Sequence, residues 1–198
     1  MKQNYRRDLV LNSLAGLTNA AEAIVLSIIT VRIGRLSDAG VLSLAFAAGN
    51  VLLTIALFGG KLFQASDVKH VFSFRTYLYQ RLITILCMSA VLGGILFFAG
   101  YSREKALAVL LIALIYMIEA VEDCFWGRLQ LKGKLYLGAV MFISRWWCIM
   151  LIYLAAVSYS RDMVTALIAA CIAGFVIFLG WCIYFAGAGR KMLTDEDA

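Results

Sequence analysis

Four acidic side chains and Arg145 stand inside the apolar runs of this chain, and their types and spacing could do chemistry. Glu119, Glu122 and Asp123 lie with Tyr116 and Trp126 along one helical face, Arg145 stands beside Trp146 and Trp147 in the next run, and Glu22 lies in the first. A charge at the centre of a bilayer costs about 2.5–3.5 kcal/mol on an insertion scale, so each should be paired or face a polar cavity. At 1.5 Å per residue Arg145 lies roughly 10 Å into its run, Glu119 at about the same depth on an antiparallel neighbour, and Glu122 slightly shallower. An ion pair from Arg145 to Glu119 or Glu122 fits these depths. It would either lock two helices together or line a cavity that meets a charged substrate. Glu22 has the same two readings: a protonated or hydrogen-bonded interhelix contact, or a role in ion or proton coupling, which Glu119, Glu122 and Asp123 could share.

Uncharged polar residues form two further patterns. On the first run Asn12, Gly16, Asn19, Ala23, Ser27 and Thr30 fall within about an 80° arc at 100° per residue, with Glu22 beside it. The second run repeats this with Ser43, Ala47, Asn50 and Thr54 at spacings of three and four. These stripes should face protein or water and not acyl chains, through helix–helix hydrogen bonds or by lining a path for a polar cargo. Trp146 and Trp147 read as packing or interface anchors, with sugar platforms the other option. Arg32 and Arg35 mark a membrane boundary, where an arginine could also hold phosphate.

Other chemistry is absent from the sequence. There is no HExxH, GxSxG or Walker loop, and no DGxxAR…GxxxD pattern of the membrane phosphotransferases, so no catalytic site and no cofactor is expected. The five cysteines fall in apolar stretches without ligand spacing and read as core thiols. His70, the one histidine, stands in a polar stretch, which argues against histidine metal sites.

The elements that must position these residues follow from composition. The chain has 198 residues, 63% of them hydrophobic, with a mean hydropathy of +0.88 and no proline. Soluble domains hold roughly 45–50% apolar residues, so an all-α integral membrane protein is expected. A span takes about 20 apolar residues. Six runs fit, at about 9–31, 39–58, 77–100, 106–126, 138–157 and 163–187, forming one membrane domain with an acidic tail at 192–198. The first run is too long and too polar for a cleaved signal peptide and reads as a retained helix. The loop 60–76 reads either as a short interfacial helix capped by Ser66 or Asp67, or as a solvated connector. Twelve Lys and Arg residues lie in the leader, the second and fourth loops and the tail, against five in the other loops, which places both termini in the cytoplasm. The formal charge of +6 suits anionic lipid headgroups and carries no implication of nucleic acid.

Several stretches carry a family resemblance. Asn12 and Asn19 leading to TVRIGRLSDAGVLSLAFAAGNVL resemble the opening of the polysaccharide flippases of the multidrug/oligosaccharidyl-lipid/polysaccharide exporter superfamily, whose first helix ends in an Arg–Gly turn. FGGKLFQASD and YLYQR resemble that family's first cytoplasmic loop and the start of its third helix, and EDCFWGRLQLKGKLYLGAV its fourth-to-fifth connection. The resemblance implies a six-helix bundle like one lobe of a MATE-like flippase, moving polyprenyl-diphosphate-linked oligosaccharide across a bacterial inner membrane for polysaccharide biosynthesis. It implies a partner lobe, supplied by a second six-helix half or a second copy of the chain. Arg145 and Arg32 would then serve the diphosphate, and Asn12, Asn19 and Asn50 the sugar hydroxyls. The alternative is a non-transporting scaffold or assembly partner in envelope polysaccharide synthesis.

Overall fold

The computed structural model describes residues 2–187 except residue 70, with side chains from residue 5 onward. Expectations about His70 and the acidic tail lie outside the described residues. Seven helices account for nearly all of this span: α1 (Lys2–Ile33), α2 (Leu36–Leu57), α3 (Gly60–Ser66), α4 (Phe74–Phe98), α5 (Arg103–Leu131), α6 (Leu135–Ser160) and α7 (Met163–Ala186). Without proline, each long apolar run keeps every interior backbone N–H for its own helical bonds, and the helices run on through one to three turns of flanking polar sequence.

What ends the helices is local. Phe58 and Gly59 adopt left-handed φ of 40° and 66° and terminate α2. Gly133, at φ 65°, makes the tight turn between α5 and α6. Asp162 caps α7 by accepting from the Thr165 amide at 2.7 Å, and Ser73 caps α4 by accepting from the Thr76 amide.

Five helical segments are long and apolar enough to cross a membrane by length and composition: Tyr5–Ile33, Leu36–Ser66, Phe74–Phe98, Leu135–Ser160 and Met163–Ala186. The chain is therefore a helical, multi-pass membrane bundle. Of the six runs read from the sequence, Ala106–Trp126 is the exception. Its helix α5 is 29 residues long, but Glu119, Glu122 and Asp123 make its interior too charged for the same criterion.

Helix α5 is central, packed against α2, α3, α4, α6 and α7, while α1 sits on the periphery against α6 and α2. Its buried Ala108, Val109, Ile112, Ala113, Ile115 and Ala120 form the spine of the core. Close approach depends on small residues. A Cβ at Gly49 of α2 would meet Ile112 and Tyr116 of α5 at 2.8 Å, and one at Gly138 of α6 would collide with the Trp126 ring. The core thiols divide: Cys124 is buried, whereas Cys87 is exposed on the outer face of α4.

Candidate functional site

The charged residues gather in two clusters because α5 turns different sides toward different neighbours. The inner cluster joins α5 to α6 and α1. Arg145 donates from Nε to Glu122 Oε2 at 2.7 Å and from Nη2 to Glu119 Oε2 at 2.9 Å, and Trp146 Nε1 donates to the same Glu119 oxygen at 2.9 Å. Arg145 is completely enclosed. Buried ions of this kind hold only when pairing and hydrogen bonds offset desolvation. The guanidinium is turned to two carboxylates through Nε and Nη2, while Nη1 is buried without a hydrogen-bond partner, so the contacts that Arg145 makes here are interhelix pairing.

Glu22 completes this cluster from α1. Its Oε1 accepts from the Tyr116 hydroxyl at 2.7 Å, while Oε2 is buried without a hydrogen bond. Nearer the α1–α2 turn, Thr30 and Tyr153 share a hydrogen bond at 2.6 Å, and Arg161 donates to the Ile33 carbonyl at 2.9 Å. Thr30 thus leaves the polar stripe and enters the core. Arg161 covers one of the carbonyls that the end of α1 leaves without a helical donor. Sequence reading missed both links, since nothing in Tyr153 or Arg161 alone indicates which helix end they will meet.

The outer cluster joins α3, α4 and α5. Arg81 donates to Asp123 Oδ2 at 2.7 Å and also to the Ala56 carbonyl at the end of α2. Lys61 stands 3.7 Å from Asp123 Oδ1 and 3.5 Å above the Trp126 ring. Asp123 is therefore a structural partner of two cations. Gln64 of α3 is buried beside Gly127, where a Cβ would strike its side chain. The connector is packed at this point and not solvated. Neither Ser66 nor Asp67 caps α3 at its start. Asp67 instead follows its last turn and accepts from the amides of Val71 and Phe72 and from the Tyr77 hydroxyl.

The uncharged stripes lie elsewhere. Asn12, Asn19, Asn50 and Arg32 are all exposed, and none joins the charged clusters. In both helices the exposed stripe is displaced by one residue from the buried face. Buried Ala15, Thr18 and Glu22 precede exposed Gly16 and Asn19 and half-buried Ala23; buried Leu42, Phe46, Gly49 and Leu53 precede exposed Ser43, Ala47, Asn50 and Thr54. The opposite flank of α1, through Leu14, Ala21 and Val25, forms an apolar groove with Trp147 and Leu151 of α6. Its polar flank therefore turns toward α2. Since α2 runs antiparallel, a stripe offset in the same angular sense turns back toward α1. Asn19 lies 14 residues before Ile33 and Asn50 lies 14 residues after Leu36, so both stand about 21 Å from the turn that joins the helices. Among the described residues, the amides of Asn12, Asn19 and Asn50 form no hydrogen bond, and Thr54 bonds only back to the Asn50 carbonyl.

Comparison of the chain with protein-family models, with curated proteins and with solved structures finds no match in any of the three.

Proposed function

We propose that this chain is one lobe of a flippase-like transporter that passes the head of a lipid-linked oligosaccharide across the bacterial inner membrane. In this reading α5 is the sixth crossing, both termini are cytoplasmic, and the lobe resembles half of a MATE-like bundle. The observation that supports it is the pair of uncovered polar flanks on α1 and α2, at matching depth inside segments that are otherwise apolar enough to span. An amide facing hydrocarbon leaves donors and acceptors unpaired, at roughly 1–3 kcal/mol each by mutational measures. Sugar hydroxyls would satisfy Asn12, Asn19 and Asn50 in passing. A second lobe, or a second copy, would supply the opposite wall. Arg145, Glu119, Glu122 and Glu22 hold the wall together, and no catalytic step is required.

The test is translocation of a lipid-linked oligosaccharide in reconstituted vesicles. Asn19→Leu with Asn50→Leu should abolish transport while leaving thermal stability unchanged. Transport by the double variant at the wild-type rate would refute the assignment.

A second reading has its own support. Small residues mixed with amides, as in Gly16, Asn19, Ser43, Ala47 and Asn50, are also what membrane helices use to dock against one another. The chain would then be a scaffold in envelope polysaccharide synthesis. Crosslinks from Asn19 and Asn50 positions to a synthesis enzyme, together with no transport in vesicles, would favour it.

A further inference from the structure

The segment between α2 and α4 presents an apolar, basic surface at one end of the bundle. Its inner side is fixed, because Gln64 is buried against Gly127 and Lys61 is engaged by Asp123 and the Trp126 ring. Its outer side is not covered. Leu62 is 78% exposed and Val68 74%, with Phe63, Val71 and Phe72 also open. Asp67 holds the turn in shape, accepting from Val71 N at 2.9 Å, Phe72 N at 3.0 Å and the Tyr77 hydroxyl at 2.8 Å. The rings of Phe63, Phe72 and Tyr77 pack with centroids 6.1–6.4 Å apart. Between α3 and the turn lies an open cleft of about 390 Å³ bordered by Phe63, Ser66, Val68 and Lys69.

We propose that this segment is a docking surface for anionic phospholipid in the headgroup layer of the protein's own bilayer. Exposed side chains of this size, gathered in one short segment, mark a surface that is covered in use. Placement identifies what covers it. The segment takes in α3, the last part of the Leu36–Ser66 span, and leads into the next span at Phe74, so both of its ends are held at a single membrane face. Charge identifies the lipid. Asp67, the one acid between Gly60 and Thr76, is engaged inside the turn, and Lys61 is engaged by Asp123, which leaves the exposed Lys69 and Arg75 as the outward charges among the described residues of the segment. Apolar side chains beneath the phosphates and cations level with them are the arrangement of interfacial segments on anionic membranes. The surface is independent of the transport reading, because it uses neither the α1–α2 flanks nor the buried clusters.

Fluorescence of the full chain in vesicles tests it. Val68→Trp adds one indole to the four native ones at an exposed position. In phosphatidylcholine vesicles whose lipids are brominated near the headgroup end, the added emission should be quenched, and more strongly when phosphatidylglycerol is included. Lys69→Gln and Arg75→Gln should each reduce the phosphatidylglycerol-dependent docking constant about fivefold. Quenching by aqueous iodide in place of bromolipid would overturn the proposal, because the segment would then project into water. Equal lipid quenching with and without phosphatidylglycerol would overturn its anionic specificity. Should Val68→Trp not fold, Val71→Trp gives the same readout from the other side of the turn.

Discussion

Arg145 and Glu122 form the innermost ion pair of the bundle, with Nε 2.7 Å from Oε2 and the two side chains 0% and 1% exposed. Glu119 accepts from the same guanidinium, so one cation serves two carboxylates and ties α6 to α5 at the level where α1 brings in Glu22. The bundle is thus joined at its centre by polar contacts that cannot be exchanged for water without opening it.

Removing the cation alone should be severe. Arg145→Met leaves both carboxylates enclosed without a cation, Glu119 keeping only the Trp146 indole as a donor, and breaking a buried pair from one side costs about 3–5 kcal/mol. The triple variant Arg145→Met, Glu119→Gln, Glu122→Gln should recover most of that loss, because no isolated charge remains. Thermal unfolding in detergent, followed by circular dichroism, separates the two. A single variant as stable as wild type would show that the pair carries no structural load.

The Tyr116–Glu22 bond should be sensitive to the donor and tolerant at the acceptor. Tyr116→Phe deprives a buried carboxyl of its hydrogen-bond donor, at a cost of about 1–3 kcal/mol. Glu22→Gln retains an acceptor for the hydroxyl and should cost less. The opposite order in unfolding measurements would mean that Glu22 is held by something other than Tyr116.

Gly49 should behave unlike Gly94, though both lie inside helices. A methyl at Gly49 meets Ile112 and Tyr116 at 2.8 Å, so Gly49→Ala should destabilise by about 1–3 kcal/mol through overpacking. Nothing lies within 4 Å of a Cβ at Gly94, so Gly94→Ala should be neutral, or stabilising by up to about 1 kcal/mol through helix propensity. Comparison of the two melting temperatures is the check.

Asp162 makes one helix start dependent on pH. Hydrogen bonds from the Thr165 hydroxyl and amide hold its carboxyl below the ordinary value of 3.8. The stabilisation is therefore present above that value and is lost as pH falls through the lower folded-state pKa. Asp162→Ala should cost about 1 kcal/mol at neutral pH, as for other lost caps. The gap between wild type and variant should close on acidification below about pH 4. A gap that stayed constant to low pH would contradict the capping role.

Much of the local structure could be read from residue order. The six long helices begin and end near the apolar runs because helix formation in a membrane-bound chain is decided within each segment, by backbone hydrogen bonds that need no partner. The depths of Arg145, Glu119 and Glu122 could also be read, since rise per residue is fixed. Asp67 was harder. A residue of that type before a helix suggests a cap, but here Ser73 takes the cap of α4 and Asp67 closes the turn ahead of it, a choice made by the reach of Val71, Phe72 and Tyr77 toward its oxygens.

The sequence alone determined a helical membrane protein with polar stripes on its first two helices and acids on its fourth long one, because composition and period are properties of a single segment. The tertiary structure decided which of these polar residues are enclosed. Glu22 and Thr30 turn inward to Tyr116 and Tyr153, whereas Asn19 on the same helix remains uncovered, as does Asn50 beside buried Gly49 on α2. A helical wheel gives only the angle between side chains on one helix. Which angle faces a neighbour is set by where α5, α6 and α2 stand around α1, and that depends on packing between segments far apart in the chain.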